Sequence, residues 1–551
     1  MVAITTSTAE DRVDMSDPDL VRFQSGWEGD ATHFGWFSAL PGTVVFYGSG
    51  FTYSGTGDAS EATGGAVSSI SLDIDANAPL GSGDLVFGDT AAVIVANFDK
   101  DDPRAFWNEV LKGKDTFDLT GLDEDIVGFG ANVIFGDDLA SATVVGNAIS
   151  DQGARDIIRG GDNQFDLIGD VVSVVGDEGA GQFARYDGGR DRIDSGGLAA
   201  GVTERQIRMA GDAFSVGTFS VLRGGDDRLA FAGYSGAGQV AGDALQLTWG
   251  RVNGGADTIV VELAAGAPFA HVAGDVLSFL GGQAVLNGGA DAIRIIGATA
   301  FVGGDAYEVL SSTSGVINGG ADRMTGSGVA DVLAGEVAER GSFSVTIVGG
   351  NDYIDGGAGN DLLVGETAAG FSVGFEIAMS GGDDTLLGGR DDDSIFGQTG
   401  DDRLFGGDGK DRLSGGSGDD YAEGGDSADV LFGDLGRDTL DGGAGKDRFD
   451  YFQTSYSGPA NSERDRIVNF IHGEDDIDLS DIDAIEGGGA GNDAFTFIGA
   501  DPFIQAGQVR VVQMGADTWV EANTIGANGA EMRIVLLGVT ATTITADDFI
   551  L

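Results

Sequence analysis

Between residues 384 and 449 the apolar positions recur at a fixed interval of nine. Leu386, Ile395, Leu404, Leu413, Ala422, Leu431, Leu440 and Phe449 each stand two residues after an aspartate. Those aspartates are Asp384, Asp393, Asp402, Asp411, Asp420, Asp429, Asp438 and Asp447. Five residues before seven of them lies a glycine: Gly388, Gly397, Gly406, Gly415, Gly424, Gly433 and Gly442. The stretch Gly406-Gly407-Asp408-Gly409-Lys410-Asp411-Arg412-Leu413-Ser414 shows the whole unit. A lone apolar residue between polar ones suits a very short strand whose middle side chain points inward. Glycines tolerate positive φ, so G-G-x-G can turn tightly between such strands. Two nonapeptide units then make one coil, with strands on opposite faces. The pattern predicts an all-β fold, a parallel β-roll.

A longer, less regular period lies upstream. Aspartates in G-G-x-D-like turns fall at Asp84, Asp115, Asp156, Asp191, Asp227, Asp257, Asp291, Asp322, Asp352 and Asp384. A second marker, Gly-Asp or Gly-Glu, falls between them at Asp89, Asp137, Asp177, Asp212, Asp243, Asp275, Asp305, Glu336 and Glu366. Short β-branched runs alternate with these turns, as in Thr258-Ile259-Val260-Val261. Residues 84–380 are therefore expected to form a solenoid of larger, irregular coils continuous with the regular roll at 381–452. Their carboxylates lack a partner two nonapeptide units away, which leaves two readings open: ion ligands, or aspartates that only stabilise turns.

The two ends leave both periods. Residues 1–83 hold Trp27, Phe34, Trp36, Phe37, Phe46, Tyr47, Phe51 and Tyr53, an aromatic set with strand character. It is expected to be a β cap over the first coil, since solenoids need caps, or else a binding module. One helix is expected from Pro103 to Lys112. Residues 453–551 form a separate C-terminal region.

Composition narrows the function classes. The chain has 551 residues, 97 of them glycine and none cysteine, with a formal net charge of −59. Such a charge repels nucleic acid phosphates, so no nucleic-acid partner is expected. The absence of cysteine excludes disulfides, thiolate zinc sites and cysteine nucleophiles. With 42% hydrophobic residues there is enough apolar matter for a core, which argues against disorder despite the glycine excess. No apolar run approaches the length of a membrane helix, so no membrane span is expected. Residues 1–11 show neither a basic nor an apolar stretch of the signal-peptide kind, so no cleavable signal peptide is expected.

The nonapeptide G-G-x-G-x-D-x-U-x, with U apolar, resembles the calcium-binding repeat of RTX proteins. A second clean copy runs from Gly356-Gly357-Ala358-Gly359-Asn360-Asp361 to Val364. The resemblance implies Ca2+ as cofactor, which suits a site of carboxylates and carbonyls offering six to eight oxygens. The candidate metal residues are Asp352, Asp361, Asp384, Asp393, Asp402, Asp411, Asp420, Asp429, Asp438 and Asp447. Turns on one side of the roll are two units apart, which stacks Asp384 with Asp402, Asp393 with Asp411, and so on to Asp429 with Asp447. Six ion sites are expected between successive coils. Gln398 and Asp434 replace the second glycine of their units, and Asp391 and Ser427 the fourth-position glycine. Sites touching those turns are expected to be weaker.

The C-terminal words Asp465-Arg466-Ile467-Val468-Asn469-Phe470, Asp476-Ile477-Asp478-Leu479-Ser480, Ala494-Phe495-Thr496-Phe497-Ile498-Gly499 and Ala546-Asp547-Asp548-Phe549-Ile550-Leu551 resemble the region after the β-roll of serralysin-type secreted proteases. That resemblance implies an uncleaved C-terminal signal read by the type I secretion machinery, hence an extracellular location. It does not extend to protease chemistry. The histidines His33, His271 and His472 are isolated, so no H-E-x-x-H zinc site exists, and neither G-x-S-x-G nor G-x-x-x-x-G-K occurs. The expectation is a secreted, non-catalytic calcium-binding repeat protein with a binding, surface or matrix role. The alternative is a secreted enzyme acting on extracellular polysaccharide through a site in residues 1–380.

Overall fold

The computed structural model describes 184–551 apart from 189, 195–206, 218–219, 235–237, 264–269, 282–283, 310–314, 341–344, 369–378, 486–491 and 527–528; before 184 it describes the strand segments. The expected helix at Pro103–Lys112 and the side chains of the aromatic set in 1–83 lie outside the described residues. The fold is almost entirely β. Among the described residues no helix is long and apolar enough to cross a membrane. The chain divides into two units, Met1–Ala298 with Asp305–Val316, and Thr299–Gly304 with Ile317–Leu551.

In the first unit, antiparallel strands near the start (His33–Phe37, Gly42–Ser54, Glu61–Ile74, Asp84–Ile94 and Val2–Thr6) pair in that order. Val2–Thr6 also pairs in parallel with Thr116–Asp118, which hands the sheet over to parallel coils. A representative coil supplies four strands, Thr258–Leu263, Ala270–Ala273, Val276–Gly281 and Val285–Asn287. Each pairs in parallel with its counterpart one coil earlier: Arg228 with Thr258, Gly238 with Ala270, Ala244 with Val276 and Arg251 with Val285. Ile259, Val261, Val272, Phe279 and Leu286 fill the interior.

The second unit shows why the sequence period changes. Its upstream coils still carry strands such as Tyr353–Ala358, Leu362–Val364 and Met379–Ser380. After Ser380 the coil keeps only two strands. Thr385–Arg390 pairs with Arg403–Asp408, and Ser394–Thr399 pairs with Arg412–Ser417. Leu386, Ile395, Leu404, Leu413, Ala422, Leu431, Leu440 and Phe449 are fully buried, one on each strand, and Phe432 adds a second on Val430–Leu435. The strands are longer than the very short ones expected: Arg412–Ser417 has six residues. The ladder runs on through the first glycines of the turn, where Gly389 faces Gly407 and Gly407 faces Gly425.

The irregular units have a backbone cost. Asp391, Gln398, Ser427 and Asp434 sit at φ of 75°, 75°, 95° and 66°, where glycine stands in the regular copies. Gln398 gains compensation, because its side chain bonds both the N–H and the carbonyl of Thr367. Ser427→Gly should raise the stability of the roll by about 1 kcal/mol, since only glycine adopts that conformation without penalty. Thermal unfolding of the variant beside the parent checks this.

The C-terminal region closes both faces of the roll. Met532–Leu536 pairs with Arg466–Val468, and Phe549–Ile550 pairs with Asp476–Asp478. A hairpin of Gln508–Met514 and Asp517–Asn523 packs Val509, Val511 and Val520 inward. The guanidiniums of Arg464 and Arg533 each lie over the Trp519 ring. Near the last strand, buried Asp548 accepts hydrogen bonds from the N–H of Gly473 and Thr545 and contacts Nδ1 of His472 at 2.7 Å. Burial works to raise the Asp548 carboxyl, but those hydrogen bonds and His472 outweigh it and hold it below its ordinary value.

Candidate metal centres

The two-unit spacing brings the aspartates into vertical files. Oδ1 of each accepts from the backbone N–H of the aspartate one coil earlier. On one side the bonds from Asp384 to Asp402, Asp402 to Asp420 and Asp420 to Asp438 measure 2.8, 2.8 and 2.9 Å. On the other side Asp393 to Asp411, Asp411 to Asp429 and Asp429 to Asp447 do the same at 2.8, 2.9 and 3.0 Å. All six expected stacks are therefore in contact.

Both files are longer than the nonapeptide period. One takes in Asp322 and Asp352 upstream and ends with Asp465. The other begins with Asp331 and Asp361 and ends with Asp475. Asp331, Asp465 and Asp475 were not among the expected ligands. Their local signal is the word Asp-x-apolar, as in Asp331-Val332-Leu333 and Asp465-Arg466-Ile467, which matches Asp411-Arg412-Leu413 without the Gly-Gly pair that opens its unit.

The second oxygen of each carboxylate behaves differently. Oδ2 of Asp352, Asp361, Asp384, Asp393, Asp402, Asp411, Asp420, Asp429, Asp438 and Asp447 is buried and has no hydrogen-bond partner. A buried carboxylate oxygen without a partner is costly. Each Oδ2 in the regular repeats lies against the glycine five residues earlier. A methyl group on Gly406 would collide with both Asp411 Oδ2 and the carbonyl oxygen of Gly424, and one on Gly397 would collide with Asp402 Oδ2. Gly406 is thus required for space, and Gly407 and Gly409, at φ of 111° and 153°, for conformation and space together, since a methyl on either would also strike a backbone carbonyl one coil earlier.

Burial is the main force on these groups. It pushes Asp352, Asp361, Asp384 and Asp420 up to about 8, and Asp393, Asp402 and Asp429 to about 7. Asp438 reaches about 9, and Asp411 and Asp447 about 6. Neighbouring carboxylates add to the rise, for example Asp352 beside Asp384, while the N–H of the preceding aspartate opposes it. Each file thus concentrates negative charge in a dry place, beside backbone carbonyls. That donor set, all oxygen and part carboxylate, fits a hard divalent cation.

Residues 341–551 match the family described as Peptidase M10 serralysin C terminal. This part of the chain is similar to that family, and its repeats are of the RTX type. The AlgE6R3 subunit of the Azotobacter vinelandii mannuronan C5-epimerase is similar at 26% identity and a TM-score of 0.20, over 31% of this chain and 78% of its own. The AlgE6R2 subunit of that epimerase is similar at 25% identity and a TM-score of 0.16, over 27% of this chain and 86% of its own. No curated protein matches the chain.

The steric role of Gly406 gives a local test within the RTX region. Gly406→Ala should destabilise the roll by roughly 2–3 kcal/mol, since a carbonyl and a buried carboxylate would have to shift. Gly529→Ala, at an exposed position with nothing within 4 Å of the added methyl, should be neutral. Equilibrium unfolding of the pair separates the two cases.

Proposed function

We propose that the chain is a secreted RTX protein whose roll binds Ca2+ and folds with it, and that it serves a non-catalytic binding, surface or matrix role. The observation that carries this reading is the pair of aspartate files, in which every expected ligand has one buried oxygen without a partner. Asp384, Asp393, Asp402, Asp411, Asp420, Asp429, Asp438 and Asp447 would hold the ions of the roll, with Asp352 and Asp361 as ligands just upstream. When bound, the cation supplies positive charge between coils and offsets the repulsion within each file. The chain's own part is to aim Oδ2 with the N–H clamp on Oδ1 and to wall the site with glycine. Because the ligands come from successive coils, binding energy becomes folding energy.

Export by the type I machinery belongs to the same reading, supported by the family match over residues 341–551. Phe549 is buried and the Phe549–Ile550 strand is paired in the folded chain, so a signal there would be displayed only before folding. Low calcium inside the cell would keep the roll open for export, and higher calcium outside would close it.

Asp411→Ala tests the pairing. Asp411 accepts from Asp393 and donates its own N–H to Asp429, so it stands in two stacks. The variant should lose two bound ions per chain by equilibrium dialysis against radioactive calcium. An unchanged count and affinity would show the pairing to be wrong.

A further inference from the structure

A separate set of carboxylates meets in the first unit, outside the residues that match the serralysin family. Here the two upstream markers, the G-G-x-D aspartate and the Gly-Asp aspartate, converge. One ligand atom each from Asp227, Asp243 and Asp257 lies within 4.8 Å of the others, and the three residues are 2%, 0% and 1% exposed. Asp191, Asp212 and Asp227 form the same arrangement one coil earlier, and Asp257, Asp275 and Asp291 one coil later. Neighbouring triads share a corner, first Asp227 and then Asp257. Each G-G-x-D aspartate meets its partner 30 to 36 residues away rather than at the shorter spacing of the roll, and the Gly-Asp aspartate adds a third carboxylate between them.

The arrangement is held from outside. Oδ1 of Asp227 accepts from the N–H of Asp191 at 2.6 Å, and Oδ1 of Asp257 from the N–H of Asp227 at 2.7 Å. Oδ2 of Asp243 accepts from the N–H of Gly255 at 3.3 Å. These bonds leave Asp227 Oδ2 and Asp243 Oδ1 buried with no hydrogen-bond partner. Both atoms press on glycines. A methyl on Gly211 would strike Asp227 Oδ2 and the carbonyl oxygen of Gly242, and one on Gly224 would strike the Asp243 carboxylate. On the third ligand, a methyl on Gly242 would strike Asp257 Oδ2 and the carbonyl oxygen of Gly274.

We propose that Asp227, Asp243 and Asp257 bind a calcium ion, the middle one of a row formed with the two flanking triads. Three carboxylates beside backbone carbonyls, with no nitrogen or sulfur donor, select a hard cation. The mixture of carboxylate and carbonyl donors suits calcium better than magnesium, which keeps most of its waters. After burial, the charges that act most on Asp227 and Asp243 are other carboxylates. The competing occupant is a set of shared protons, which the test separates.

The experiment counts calcium bound to the full chain at neutral pH by equilibrium dialysis and elemental analysis, with excess magnesium present. Asp243→Asn keeps the shape and an acceptor for Gly255 but removes one charge from one triad, so it should cost one ion. Asp227→Asn removes a shared corner and should cost two. Asp411→Asn, in the roll, should cost its own ions whether or not the upstream variants do, so failure of either set is separate from failure of the other. Parent-like counts in folded Asp243→Asn and Asp227→Asn would overturn the proposal in favour of protons. Should either variant fail to fold, crystals of the unaltered chain soaked with a lanthanide decide. An anomalous peak among Asp227, Asp243 and Asp257 is expected, and its absence while the roll is occupied would overturn the proposal.

Discussion

Stripping calcium from the full chain with a chelator should unfold residues 381–452, and restoring it should refold them. In far-ultraviolet circular dichroism the β signal of the roll should disappear. In hydrogen exchange the amides of Leu404, Leu413 and Leu431 should lose their protection. The size of the effect follows from how little else holds this segment. Most strands bury a single apolar side chain, with Phe432 and Tyr451 as additions, and Ala422 contributes only a methyl. Against that stand the buried carboxylates of the two files, each with an unpartnered oxygen. One ion at a hundredfold excess over its Kd stabilises the folded state by about 2.7 kcal/mol. Six such sites together would exceed the roughly 5–15 kcal/mol by which ordinary domains are stable. A roll that keeps its spectrum and protection in chelator would sink the folding mechanism, whatever its affinity for calcium.

Without calcium, the roll should be more stable in mild acid than at neutral pH, the reverse of most proteins. The reason is the sign of the shifts. Burial raises the folded-state values of the roll aspartates to between about 6 and about 9, from an ordinary value of 3.8. A carboxyl raised on folding binds its proton more tightly in the folded chain. Its contribution is complete below the unfolded value near 4 and is lost as pH rises through the folded value. In chelator, stability should therefore fall steadily from about pH 4 to about pH 9. With calcium the order inverts, because the ion needs the ionised form and competes with the proton. Calcium affinity should drop steeply as pH falls through 8 to 6. The β signal of the roll in chelator at pH 5 and pH 8, and denaturant midpoints at both pH values with calcium, test the two halves. An equal loss of signal at the two pH values in chelator would show that the files are not protonated there.

Much of this was legible because the repeat is short and strict. In the nonapeptide unit, glycine, aspartate and one apolar side chain have fixed places, so periodicity alone leads to coils, inward plugs and stacking two units apart. The clamp on Oδ1 was not legible, since it depends on a backbone N–H one coil away. Asp331, Asp465 and Asp475 were missed because they join the files without the Gly-Gly pair that marks most of the others. The upstream triads were missed for a related reason. Their members are up to 36 residues apart in uneven steps, and only the number of strands per coil decides which of them meet.

From its sequence alone this chain is an all-β repeat protein, its roll aspartates are evenly spaced and its glycines mark the turns. Local rules suffice there, because tight turns and period-two alternation act within a few residues. The tertiary structure alone decided which carboxylate oxygens are clamped and which are left bare. It also decided that Gly406 is needed for space and Gly407 for both space and conformation, and that Asp243 falls between Asp227 and Asp257. These are questions of what the next coil places opposite a residue, and the distance to the next coil changes along the chain.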